Sequence, residues 1–251
     1  MDTPIPPEPT CSHFYKYSRD LQQLEALLLK NDLYVPTAGE LNEPRDSHPP
    51  LSCLSQAEAV DYLRSVLPPP ANEEARILEV IRSSGIDTIR ELIRELALFK
   101  YAEIRIYSMS KRWDNVALWA TLGANHSGYC LEFFNRGLFR LSREVIYTME
   151  TVDVETPPHA SWIFYKASGW RHEEEVRFFM LDDILTQPMR ILPDLLSRVI
   201  LGKDMPAADQ KRICRWAERR DPSMRVVRVV NDPRSQKLSL KTVIARSSRA
   251  S

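Results

Sequence analysis

Residues 18–30 repeat apolar side chains at helical spacing. Leu21, Leu24, Leu27, Leu28 and Leu29 make one broad apolar face, and Ser18 or Asp20 stands where a helix N-cap belongs. Just before it, the aromatic run His13–Tyr17 suits a strand, with Tyr15 and Tyr17 on one face and Lys16 on the other. A short strand is expected over Leu33–Val35, stopped by Pro36, followed by a loop over 36–53. Helices are expected over 56–67, 72–83 and 87–102, with Gly85 as the break and Asp87 as a cap. The pattern then changes. Strands are expected over 104–110, 127–134, 144–149, 176–181, 198–201, 224–230 and 238–244, with helices over 115–122 and 207–219.

Helices early and strands late predict an α+β fold rather than a regular βαβ array. The expectation is a helix-rich N-terminal half packed on a mixed, mostly antiparallel sheet formed largely by the C-terminal half. Pro4, Pro6, Pro7 and Pro9 mark residues 1–12 as a flexible tail. A single globular domain is expected over 13–246, with a second short tail over 247–251.

Composition narrows the class. The 251 residues are 43% hydrophobic and 27% charged, which suits a folded chain. Acidic and basic residues balance at 34 each, but residues 198–251 hold 14 Lys and Arg against 5 Asp and Glu. That basic portion either docks on the acidic remainder or meets a partner, nucleic acid included. Cys11, Cys53, Cys130 and Cys214 are scattered and form no CxxC pair, so reduced thiols and a cytoplasmic setting are expected. No apolar run approaches the roughly 20 residues of a membrane span.

Several chemistries lack their sequence signatures. The seven glycines make no GxGxxG turn. Gly123 and Gly128 have phosphate-loop spacing, but Tyr129 and Cys130 replace the required Lys and Ser or Thr. HExxH and GxSxG are absent, and the five histidines are isolated from one another, so no bound metal is expected.

Three polar clusters remain. If the strand reaches back to Glu173, then Glu173, Glu175, Arg177 and Phe179 share one face, and Glu174, Val176, Phe178 and Met180 share the other. Two neighbouring carboxylates repel, which raises the pKa of one, while Arg177 opposes that shift. This pattern suits a sugar or phosphate-ribose site, or else a strand laced with ion pairs. Ser108 and Ser110 share a strand face near Trp113 and Trp119, aromatics that either pack in the core or stack on a flat ring. Lys16 and Tyr17 form the third cluster, within reach of a phosphate or ribose or on an amphipathic edge strand.

In their order along the chain, these motifs resemble a bacterial family known as domain of unknown function 2971. The residues concerned are Phe14-Tyr15-Lys16-Tyr17-Ser18, Ile106 to Ser110, Trp119, His126-Ser127-Gly128, Val145-Ile146-Tyr147 and Val199-Ile200-Leu201-Gly202. Lys166, Trp170, Glu173, Glu175 and Arg177 carry the most specific part of the resemblance. Leu41-Asn42-Glu43-Pro44-Arg45-Asp46 resembles the family's Asn-Asp-Pro-Phe-Asp loop, departing at Glu43 and Arg45. The similarity spans residues 13–244.

An aromatic or basic first strand, a Ser-x-Ser strand and a late Glu-x-Glu strand also resemble the layout of ADP-ribosyltransferases. That resemblance implies NAD as co-substrate and a protein or nucleic-acid acceptor, in the setting of a toxin or phage-defence effector. It implies that Glu175 holds the nicotinamide ribose and stabilises positive charge at the sugar carbon. Glu173 would orient or deprotonate the acceptor, and Tyr17 or Trp119 would stack on nicotinamide. Lys16, Ser108, Ser110 and Arg177 complete the expected cofactor contacts. The other reading is a non-enzymatic recognition or sensor module, with Glu173, Glu175 and Arg177 as an internal polar network. Convergence of Tyr17, Ser110 and Glu175 on one cleft would favour the enzyme.

Overall fold

The computed structural model describes residues 6–40, 83–91, 104–149, 163–181, 188–232 and 237–244, with Ser55, Ala57, Glu79, Arg234 and Ser235 between them. In chain order the elements are β1 (His13–Ser18), α1 (Leu21–Lys30), β2 (Asp32–Leu33), β3 (Ile104–Ser110), α2 (Val116–Thr121), β4 (Tyr129–Phe134), β5 (Arg143–Glu144) and β6 (Ile146–Thr148). They continue with β7 (Tyr165–Ala167), β8 (Glu175–Leu181), β9 (Met189–Arg190), β10 (Leu196–Leu201), α3 (Ala207–Arg220), β11 (Arg225–Asn231) and β12 (Leu238–Ile244).

Eight strands form one sheet in the order β12-β11-β10-β4-β1-β3-β8-β5. Only the β10–β11 pairing is parallel; the others are antiparallel. An α+β fold with a mixed, mostly antiparallel sheet is therefore present. A helix-rich first half is not what the described residues display. Before Ile104 they hold α1, the 3-10 turn Ala38–Glu40 and a helical stretch over 86–91 that follows a break at Gly85. Of the helices expected over 56–67 and 72–83, Ala57, Glu79 and Ser83 are described and are helical; the rest of both, most of that over 87–102, and Asn42 to Asp46 fall outside the described residues. Asp87 lies inside its helix rather than capping it.

Local chemistry explains the elements. The Asp20 carboxylate accepts the Gln22 and Gln23 amides at 2.9 and 3.0 Å, which starts α1. Asn31, at φ 62°, ends it in the left-handed conformation. Asn115 caps α2 through the Leu118 amide. One sheet face carries the larger core. Leu24, Leu27 and Leu28 of α1 and Ile213, Trp216 and Ala217 of α3 pack there on Phe14, Leu131, Phe133, Val176, Phe178 and Val199. The opposite face carries two smaller clusters. One gathers Tyr17, Leu118, Trp119, Cys130 and Ile200; the other gathers Ile104, Ile106, Ile163 and Phe164.

The segment expected as a leading tail is tied down from Pro7 onward. The Pro7 carbonyl accepts the Glu144 amide at 2.9 Å, and Asn135 Nδ2 donates to the Cys11 carbonyl at 2.9 Å. The thiols of Cys11, Cys130 and Cys214 are free, and Cys53 lies outside the described residues. No helix among the described residues is long and apolar enough to cross a membrane.

The loop after α2 holds three successive left-handed residues, Ala124, Asn125 and His126. It closes on the end of β10, where the Gly202 amide donates to the Gly128 carbonyl at 2.9 Å. A Cβ at Gly202 would overlap the His126 carbonyl oxygen, whereas a Cβ at Gly169 meets nothing within 4 Å. Gly202→Ala is therefore expected to destabilise by about 1–3 kcal/mol, the range of overpacking. Gly169→Ala should be near neutral. Urea unfolding of both variants checks the pair.

Candidate functional site

The register of the sheet lines up polar side chains across six strands. Arg225 of β11 lies opposite Arg198 of β10, and Arg198 lies opposite Glu132 of β4. Glu132 faces Tyr15 of β1, Tyr15 faces Ser110 of β3, and Ser110 faces Glu175 of β8. Directly paired residues in a sheet share a face. These six side chains therefore form one lateral row between the two smaller apolar clusters.

At one end of the row Glu175 is buried, 6% exposed, and Arg177 beside it is 0% exposed. Arg177 Nε lies 2.7 Å from Glu175 Oε1, and Arg177 Nη2 lies 3.1 Å from Oε2. Lys166 of β7 adds Nζ at 3.2 Å from Glu175 Oε2 and at 2.7 Å from Glu173 Oε2. Arg177 Nη1 also donates to the Ile163 carbonyl, and the Tyr147 hydroxyl accepts the Glu175 amide at 2.8 Å. Two carboxylates thus face two cations. Burial by itself would raise the Glu175 pKa, but Arg177 and Lys166 outweigh it and hold the carboxyl down at about 2. At Glu175 the opposing effect of Arg177 prevails over any rise from carboxylate repulsion, and Lys166, which bonds both Glu173 and Glu175, adds to it.

Glu173 reaches this cluster by a different route from the one the alternating pattern implied. It ends a 3-10 turn, Ser168–Glu173, and Glu174 at φ 46° redirects the chain into β8. The strand begins at Glu175, so Glu173 is not on its face. The turn lies beside the row: Asn115 Nδ2 donates to the His172 carbonyl at 2.6 Å, and Lys166 Nζ sits 5.1 Å from the Trp170 ring centre.

The remaining expected site residues divide. Ser108 is opposite Arg177 and hydrogen-bonds Glu175, while Ser110 Oγ donates to the Glu173 carbonyl at 2.7 Å. Both belong to the cluster. Tyr17 does not. Its ring packs edge-on against Trp119 at 5.1 Å, and its hydroxyl donates to the Arg112 carbonyl at 2.8 Å. Trp119 is 0% exposed, and its indole Nε1 donates to the Trp113 carbonyl at 2.8 Å. Lys16 is on the opposite sheet face, where Nζ donates to the Ser108 carbonyl at 3.0 Å and lies 5.0 Å from the Tyr107 ring centre. Burial pulls the Lys16 pKa down to about 8. Tyr17, Ser110 and Glu175 therefore do not meet in one cleft.

The other half of the row escaped the sequence reading. Glu132 is 3% exposed and is held by Arg198 Nε at 2.8 Å and Ser197 Oγ at 2.7 Å. The Tyr15 hydroxyl joins them, and burial followed by the Glu132 charge raises its pKa. A signal was present: Glu132 is the one charge in the apolar run Tyr129–Phe134. Among the described residues, no group of three or more His, Cys, Asp or Glu side chains is placed to hold a metal ion. No family model, curated protein or solved structure matches the chain.

Removing one partner from a buried ion pair typically destabilises by about 3–5 kcal/mol. Arg177→Met is expected to fall in that range. Glu175 is depressed in the folded state, so its contribution is complete above the unfolded carboxyl pKa and fades as pH falls toward about 2. The stability gap between wild type and Glu175→Gln should be constant above about pH 5 and narrow below it. Denaturant titrations across that range check the sign.

Proposed function

We propose that the chain is a recognition module in which Lys166, Glu173, Glu175 and Arg177 form an internal polar network. The observation that carries this reading is the saturation of Glu175: Arg177 holds both of its oxygens and Lys166 shares one of them. A carboxylate so engaged has little left to offer a ribose hydroxyl. The aromatic residues expected to stack nicotinamide are core residues with satisfied polar atoms. Part of the basic C-terminal portion docks internally, as Arg198 on Glu132 and Arg220 on the carbonyls that end α1. Lys211, Arg215, Arg219, Lys237 and Lys241 remain exposed and suit an acidic macromolecular partner, protein or nucleic acid.

The second reading is an ADP-ribosyltransferase-like enzyme using NAD, a toxin or phage-defence effector. One observation favours it. The three strands of the resemblance, β1, β3 and β8, are neighbours, and Tyr15, Ser110 and Glu175 line up across them. In that reading Glu175 would exchange Arg177 and Lys166 contacts for the ribose, and Tyr15 rather than Tyr17 would flank the ligand. Nicotinamide would leave as the bond to the ribose carbon breaks, and the acceptor, oriented by Glu173, would form the new bond.

The purified protein incubated with NAD separates the two. On the recognition reading nicotinamide release stays at the buffer level, and Glu175→Gln unfolds at a clearly lower temperature. Release that disappears in Glu175→Gln while the unfolding temperature holds would establish the enzyme instead.

A further inference from the structure

At the end of the row away from Glu175, a cavity of about 650 Å³ lies where β1, β10 and β11 begin and β4 ends. That size is within the range of small-molecule sites. Its floor is the Glu132–Arg198 pair, with Ser197 and His13 beside it. Phe134 forms one wall with Arg136 placed 4.4 Å over its ring centre, and Leu196 and Met224 add apolar surface.

The charge in this cavity is unevenly matched. Arg198 is neutralised by Glu132, and Arg136 by Asp194 at 3.0 Å. Arg220 directs its guanidinium to main-chain oxygens instead, at 2.6 Å to Leu27 and 3.0 Å to Pro193. Asp221 is engaged by the Ser223 amide and hydroxyl, both at 2.8 Å. Arg225 projects from β11 next to Arg198, is exposed, and has no acidic partner among the described residues. Four arginines therefore line the cavity against three carboxylates, Glu132, Asp194 and Asp221.

We infer that this cavity binds a phosphate monoester carrying a sugar or nucleoside body. A phosphate dianion suits the excess positive charge, and the flat guanidinium of Arg225 can grip two of its oxygens. The ring of the body rests against Phe134, Leu196 and Met224, and its hydroxyls meet the polar floor. An inorganic ion would leave most of the volume unfilled. The site is separate from the Glu175 cluster: β3 stands between the strands that line it, β1, β4, β10 and β11, and β8. It goes beyond the recognition reading and does not depend on it, since neither the Glu175 network nor the exposed basic residues named there line this cavity.

Titration calorimetry of the full chain tests this with four probes: AMP, ribose 5-phosphate, adenosine and inorganic phosphate. Both esters are expected to bind, adenosine not at all, and inorganic phosphate at least tenfold more weakly than AMP. Affinity for AMP should fall as salt rises. Arg225→Ala should weaken AMP by about tenfold and Arg225→Glu should abolish binding, since a charge-assisted pair carries that much. Neither change should move the unfolding temperature, because the side chain is exposed. If only ribose 5-phosphate binds, the body recognised is the sugar; if AMP binds tighter, the base is recognised too. Equal weak binding of all anions, or AMP affinity unchanged in Arg225→Ala, overturns the inference. Nicotinamide release dependent on Glu175 would defeat the recognition reading alone and leave this result standing.

Discussion

A charge placed on the buried face of a sheet must be met by an opposite charge within hydrogen-bond reach, or the sheet does not form there. Much of this molecule follows from meeting that condition at Glu175. Arg177 meets it from the same strand, two residues along, which fixes the face that β8 presents. Lys166 meets it from β7, which draws the segment 163–173 over the sheet. Glu173 then shares Lys166, and the 3-10 turn between them is held at both ends. The second buried carboxylate, Glu132, is treated the same way by Arg198 and Ser197. The sheet thus carries two neutralised centres on one face, joined by Tyr15 and Ser110.

The two centres differ in access. The Glu175 centre lies beside the turn with Trp170, and β7 stands over its edge. The Glu132 centre is a cavity floor. Two similar solutions to one electrostatic problem therefore end with different surfaces: one covered by its own chain, the other lining a cavity. The apolar clusters on either side keep the row narrow, since α2 covers Tyr17 and Cys130, and Ile163 with Phe164 covers Ile104 and Ile106.

The sequence disclosed what depends on short-range pattern. Asp20 caps α1 because its carboxylate reaches amides two and three residues ahead, a relation visible in a string of letters. The strands β1, β3, β4, β8, β11 and β12 were legible because their alternation or apolar runs are local. Glu175 and Arg177 could be grouped because they share parity on one strand, whereas Ser108 joined them only through the resemblance to ADP-ribosyltransferases. What was not legible required register. Nothing near Tyr15 in the chain says that it, and not Tyr17, continues the line from Ser110. Glu173 was placed on a strand because its parity fits, and only the left-handed Glu174 breaks that parity. Trp119 carried no mark to separate a stacking platform from a core residue, since both need the same side chain beside the same polar neighbours.

The position of β1 has a consequence for how the molecule acquires its shape. β1 is in the middle of the sheet, yet Tyr15 pairs with Ser110 and Tyr17 with Cys130, partners roughly a hundred residues away along the chain. Neither neighbour is available to the strand until most of the intervening chain has been gathered in. Closing loops of that length is unfavourable before the contacts exist to reward it. The centre of the sheet is therefore assembled late, and folding is slow for a chain of this size. Until then the aromatic residues of β1 and the apolar stripe of α1 are exposed together, a pair of surfaces for a chaperone to hold.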